Sequence, residues 1–198
     1  MMEAITIPVS QEFHDALAYA SVMHAGQVRK QTTIPYVAHL MAVSSIVWEA
    51  GGSETEAIAA LLHDGPEDQG GVDRLAAIRR RFGDEVADIV EHCSDTFEMP
   101  KPSWAERKAA YVERLKKADR STLLVSVADK LHNARATLRD LSEADDPSSV
   151  WGRFRKTREQ TLANYLALIG VYIEGASDPR RGPLVAELYR TVDAMEKK

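Results

Sequence analysis

SETEAIAALLHD, residues 53–64, is the stretch whose reading decides the fold class. Ser53 with Glu56 three positions on is a capping-box signature, in which a hydroxyl and a carboxylate occupy the free amides of a helix start. An apolar helix of Ala and Leu follows. It runs straight into His63 and Asp64, and Glu67 and Asp68 stand just beyond Gly65 and Pro66. An imidazole and three carboxylates within six positions at the end of an apolar helix need a physical reason.

Helical spacing extends outward in both directions. In SQEFHDALAYASVMHAG (10–26), Phe13, Leu17 and Ala20 share a face, Ser10 suits the N-cap and Gly26 the stop. VAHLMAVSSIVWEAGG (37–52) carries Leu40, Val43, Ile46 and Val47 at the same period. Residues 73–95 read as two helices broken at Gly83, residues 103–118 as one, and residues 121–141 as one capped by Ser121. A last pair is expected over 147–174 and 183–198. Strand signals are poor: AITIPV (4–9) reads as a short extended arm, and TTIPYV (32–37) and EMPKPS (98–103) as loops. The expectation is an all-α fold, one domain over residues 1–198, built as a multi-helix orthogonal bundle.

Composition sets bounds. A net charge of −5 weighs against a nucleic-acid binder but leaves room for a local basic pocket. Cys93 is the only cysteine, so an intramolecular disulfide is excluded and a reducing cytoplasm fits best. The N-terminal residues lack the basic and apolar regions of a signal peptide, and no window reaches the roughly 20 apolar residues of a membrane span. Expected partners are a small-molecule substrate, with no nucleic acid and no membrane; self-association stays open.

Four polar residues break the apolar pattern. His39 sits early on an apolar helix, His63 and Asp64 end another, and Asp129 lies inside LLVSVADKLHNA (123–134). A buried carboxylate without a partner costs several kcal/mol. Asp129 therefore needs one: a divalent cation, Lys130, or an arginine from elsewhere. Singly, each residue has a structural reading, His39 as a hydrogen-bonded core histidine and His63 as a cation at a helix C-terminus. Jointly they supply two imidazoles and two carboxylates. That mixed set suits Mn, Fe or Zn with open positions, and not a closed structural site, which favours thiolates.

The order His…His-Asp…Asp resembles the HD-domain metal-dependent phosphohydrolases. HAGQVRK (24–30), PYVAH (35–39), LLHDGPED (61–68) and VADKLHNAR (127–135) narrow the resemblance to the hydrolase domain of the RelA/SpoT enzymes and the stand-alone small alarmone hydrolases. These blocks form a motif core over residues 24–135, which residues 147–198 would complete. The resemblance implies an enzyme that removes the 3′-pyrophosphate of (p)ppGpp with one Mn²⁺ per chain, giving GDP or GTP and pyrophosphate. By position it implies His39, His63, Asp64 and Asp129 as metal ligands. Glu67 and Asp68 would be the acidic pair beside the attacking water, and Arg29, Lys30 and Asn133 substrate contacts. WGRFRKTREQTLANY (151–165) departs from the alignable blocks; Arg155 there is expected to reach a substrate phosphate, as a basic residue does in the related small hydrolases, with a solvated basic face as the alternative.

Gly65-Pro66 favours a turn before Glu67. His132 and Arg135 read as structural or peripheral, and Ala136 stands where the bifunctional relatives often have Thr. Other divalent metals, the adenosine counterpart (p)ppApp, the 2′-phosphate of NADPH, and a catalytically weak nucleotide-sensing module stay open as alternatives.

Overall fold

The computed structural model describes residues 9–97, 100–153 and 156–198. Ten helical segments appear among them: α1 Gln11–Met23, α2 Val37–Glu49, α3 Glu54–Leu62, α4 Gly65–Asp68, α5 Gly71–Cys93, α6 Trp104–Leu115, α7 Arg120–Glu143, α8 Pro147–Trp151, α9 Arg158–Glu174 and α10 Arg181–Glu196. The extended pairing among the described residues is one isolated bridge, Val28 to Pro35, in the loop between α1 and α2. The fold is all-α, as the periodicity requires.

Helix starts follow the expected chemistry. Ser10 accepts from the Phe13 amide, and complete capping boxes form at Ser53/Glu56, Ser103/Glu106 and Thr157/Gln160. The start of α7 differs from the reading: Asp119, not Ser121, is the cap, its carboxylate accepting from the Thr122 amide at 2.7 Å. Asp119 lies one position before the helix in an extended conformation, which Ser121, already helical, cannot adopt. The stretch expected as one helix over 147–174 is two, α8 and α9. Thr157 opens the second with its own capping box. The final helix begins at Arg181, two residues before Pro183. Gly83 takes φ +83° and kinks α5 where the break was expected. AITIPV lies outside the described residues except for Val9.

One hydrophobic cluster runs from Ala16 to Met195. α7 is its axis, packed by α2, α3, α5 and α10, with Leu123, Leu124, Val127, Ala128 and Leu131 fully buried. The first half of α7, Thr122 to Asp129, is buried on every side, as befits a segment at the centre of such a bundle. Because α2, α3 and α7 cross there, a polar residue on any of them meets the others inside the core. No helix among the described residues is long and apolar enough to cross a membrane.

Candidate functional site

Three helices deliver four side chains to one point. α2 supplies His39, the end of α3 supplies His63 followed by Asp64, and the middle of α7 supplies Asp129. His39 Nε2 stands 3.4 Å from Asp64 Oδ2 and 3.2 Å from Asp129 Oδ1. His63 Nε2 stands 3.1 Å and 3.7 Å from the same two oxygens. Atoms bound about 2.0–2.2 Å from one centre lie about 2.8–3.6 Å from each other, a spacing that three of these four distances match and the fourth narrowly exceeds.

Both Nε2 atoms are buried without a hydrogen-bond partner. The other ring nitrogens are taken: His63 Nδ1 donates to the Ala60 carbonyl at 2.8 Å, and His39 Nδ1 pairs with His132 Nδ1 at 2.7 Å. With the proton on Nδ1, each Nε2 turns a lone pair toward the carboxylates. That tautomer is the one a metal-binding histidine takes. The donor set fits a divalent cation, and His39, His63 and Asp129 by themselves form a group whose ligand atoms lie within 4.8 Å of one another.

The electrostatics agree. Burial would raise Asp129, but Lys130 and the two imidazoles hold it well below the usual carboxylate range. Burial would raise Asp64 as well; His63 and His39 hold it down. Burial would lower His63, yet the nearness of Asp64 first, and then of Asp129, raises it well above the histidine range. Two ionised carboxylates in a buried pocket create a demand for positive charge at Nε2, which a proton or a metal satisfies.

Glu67 and Asp68 lie on α4. The turn expected at Gly65-Pro66 is instead a short helix, since Pro66 falls in its first turn, where a missing amide costs nothing. A Cβ at Gly65 would meet only the flexible end of the Met23 side chain, at 2.7 Å. α4 turns Glu67 toward the connection between α5 and α6, where its carboxylate accepts from the Asp95 amide at 3.2 Å and lies 3.7 Å from Lys101 Nζ. Burial, then the charge of Asp64, raises Glu67 above the ordinary glutamate range, against Lys108 and Lys101. Asp68 accepts from Gln27 at 2.8 Å.

A cavity of about 500 Å³ adjoins this cluster. Arg29, Lys30, Lys108, Lys130, Arg139, Arg153 and Lys156 line it against a single carboxylate, Asp140, among the described residues. Asn133 lines it too and joins rim to centre: it donates to Asp129 Oδ1 and accepts from Arg29 Nη2 at 2.8 Å. Arg29 also lies 6.0 Å over the Tyr36 ring. Lys30 is on the same wall. Arg155 lies outside the described residues, while its neighbour Lys156 sits over the Trp104 ring.

Two contacts escaped the sequence reading, and a third was one of its alternatives. His132, read as peripheral, touches the His39 ring directly, because one turn of α7 after Asp129 brings it against α2. Burial and the neighbouring His39 lower it to about 4, so it is neutral and accepts. Tyr36 donates to Asp64 Oδ2 at 2.7 Å, and its position three residues before His39 on PYVAH was the available signal. Lys130 pairs with Asp129, an alternative left open beside the metal; the geometry has room for both, since Lys130 takes Oδ2 and the imidazoles face Oδ1. Arg135 is peripheral, paired with Glu187 on α10.

Residues 16–155 match the family described as HD domain, and the chain belongs to that family. Among its relatives, a probable GTP pyrophosphokinase of Mycobacterium leprae is 37% identical over 161 residues, 79% of this chain and 19% of that one. The guanosine-3′,5′-bis(diphosphate) 3′-pyrophosphohydrolase MESH1 of Xenopus tropicalis is 36% identical over 124 residues, 61% of this chain and 66% of that one. The chain thus spans a fifth of the first relative and just under two thirds of the second. A solved structure described as a metazoan ortholog of SpoT that hydrolyzes ppGpp superposes with a TM-score of 0.74 at 28% identity, over 93% of this chain and 97% of that one. A crystal structure from Listeria monocytogenes gives 0.68 at 32% identity, over 81% and 99%.

Proposed function

We propose that the chain is a Mn²⁺-dependent 3′-pyrophosphohydrolase of hyperphosphorylated guanosine nucleotides, yielding GDP or GTP and pyrophosphate. The observation that carries this reading is the convergence of two partnerless Nε2 atoms and two carboxylates beside a cation-lined cavity. The names of the relatives support the substrate class.

His39, His63, Asp64 and Asp129 would hold the ion. A divalent metal there supplies a nucleophile at neutral pH and draws charge from a phosphoryl oxygen. The remaining work falls to side chains. Glu67, raised by burial, is suited to take a proton from the attacking water and return it to the leaving 3′-oxygen. The bond between that oxygen and its phosphorus breaks as the water oxygen joins the phosphorus. Asp68, fixed by Gln27, orients the same water. Lys108, Lys130 and the cations of the outer wall hold the two phosphate chains, and Arg29 offers a planar face to the purine and a fork to phosphate. Asn133 registers the nucleotide against Asp129.

The test is a product assay on the purified chain with Mn²⁺ and ppGpp, pppApp, NADPH or a plain phosphomonoester. Release of GDP and pyrophosphate from ppGpp, faster than turnover of the other three, supports the reading. Preference for pppApp or NADPH moves the substrate while keeping the centre. Nucleotide binding without turnover of any of them sinks the enzyme reading in favour of a sensing module.

A further inference from the structure

We propose that His24 and Gln27 are positioning residues: the Nδ1 proton of His24 fixes the side-chain amide of Gln27, and that amide fixes the carboxylate of Asp68. The inference rests on Asp68 as the group that orients the attacking water. Asp68 is exposed and is the last residue of α4, a helix of four residues. A carboxylate so placed turns freely unless something outside its own helix holds it.

The hold comes from the end of α1 and the loop that follows. Gln27 Nε2 donates to Asp68 Oδ2 at 2.8 Å. Gln27 Oε1 accepts from Gln69 Nε2 at 2.6 Å and stands 2.8 Å from His24 Nδ1. The Gln27 backbone is held as well: its amide donates to the His24 carbonyl at 3.0 Å, and its carbonyl accepts from the Tyr36 amide at 2.9 Å. His24, the C-cap of α1, is 3% exposed. Its ring stacks on Tyr36 with centroids 5.1 Å apart and planes at 20°.

One arrangement of protons satisfies these contacts. An ionised carboxylate only accepts, so Asp68 faces the NH₂ end of the Gln27 amide. Oε1 then faces His24, and the ring nitrogen opposite it carries the proton. With the proton on Nε2 instead, Nδ1 would oppose a second acceptor, or the Gln27 amide would turn over and set its carbonyl against the Asp68 carboxylate. A proton on Nε2 would also be wasted, because that nitrogen is buried without a hydrogen-bond partner. A packing role needs only the bulk of the ring; the role proposed here needs the Nδ1 proton.

The test joins NMR to kinetics on the full chain. Two-bond ¹⁵N–¹H spectra of histidine-labelled protein are recorded with Zn²⁺ at the metal centre, since Mn²⁺ would broaden the signals. The His24 signals, assigned by their absence from His24→Asn, should show the Nδ1–H tautomer, and Gln27→Met should remove that preference. With Mn²⁺ and ppGpp, Gln27→Met and His24→Leu should each lower kcat by about tenfold or more, at unchanged KM and metal content. His24→Asn lacks the ring as Leu does but places an N–H where Nδ1–H stood, and should recover most of that loss. Gln27→Met added to Asp68→Asn should cost little more than Asp68→Asn alone, because Gln27 acts through Asp68. An Nε2–H tautomer in the wild type, equal losses in His24→Leu and His24→Asn, or fully multiplying losses in the double variant would overturn the proposal. Wild-type kcat in Asp68→Asn would remove the role of Asp68 and the proposal with it, whatever the tautomer.

Discussion

His132 does its work through another side chain. Its neutral ring accepts the His39 Nδ1 proton and so fixes which nitrogen of His39 faces the carboxylates. His132→Leu keeps the bulk and removes the acceptor. Metal affinity, measured by titration of the apoprotein, should weaken by about 10–100-fold, the range for loss of such an outer contact, and kcat at saturating metal should largely recover. Unchanged affinity would return His132 to a packing role. The ligand candidates were legible in the sequence because an imidazole or carboxylate inside an apolar helix has few ways to be buried. His132 and Tyr36 were not. Their partners lie 93 and 28 residues away, and only the crossing of the helices decides that they meet.

At the scale of the element, helix existence was read correctly where the period was long, and boundaries were misread where two acceptors competed. Asp119 and Ser121 both precede an apolar run, and only backbone geometry selects Asp119. Asp119→Ala should cost about 1 kcal/mol, lowering Tm by about 2–4 °C for a chain of this size, whereas Ser121→Ala should change little. Thermal unfolding followed by circular dichroism measures both; the reverse order would restore Ser121 as the cap.

α6 has a comparable hidden role. It brings Lys108 to Glu67 and Asp95, with Lys108 Nζ 3.3 Å from Asp95 Oδ1. Burial, then Lys130, lowers Lys108 to about 8, so it is charged at neutral pH, where its charge lowers Glu67. Removing that charge lets Glu67 rise further. Because a general base must be deprotonated, Lys108→Met should shift the acid limb of the kcat–pH profile to higher pH. A limb that stays in place, or moves down, would take Glu67 out of proton transfer.

Over the whole molecule, a chain of net charge −5 gathers seven cations, among the described residues, around one cavity, with Asp64 and Asp129 in the neighbouring cluster. Composition averages that separation away, which is why the total charge could only leave room for a basic pocket. The pattern of candidate ligands was legible because it is carried by single residues. The cavity was not, since the loop between α1 and α2 and the helices α6, α7 and α9 each contribute a few positions to it. The arrangement has one purpose in this account: the four ligands hold one divalent ion, and hydrolysis depends on it. The direct measurement is metal content and ppGpp turnover on the same samples of wild type and Asp129→Ala, each stripped of metal and reloaded with Mn²⁺. The account predicts about one ion per wild-type chain with turnover restored, and neither in the variant, because an open site that loses a ligand loses its geometry. An Asp129→Ala protein that keeps its ion and its rate would contradict it.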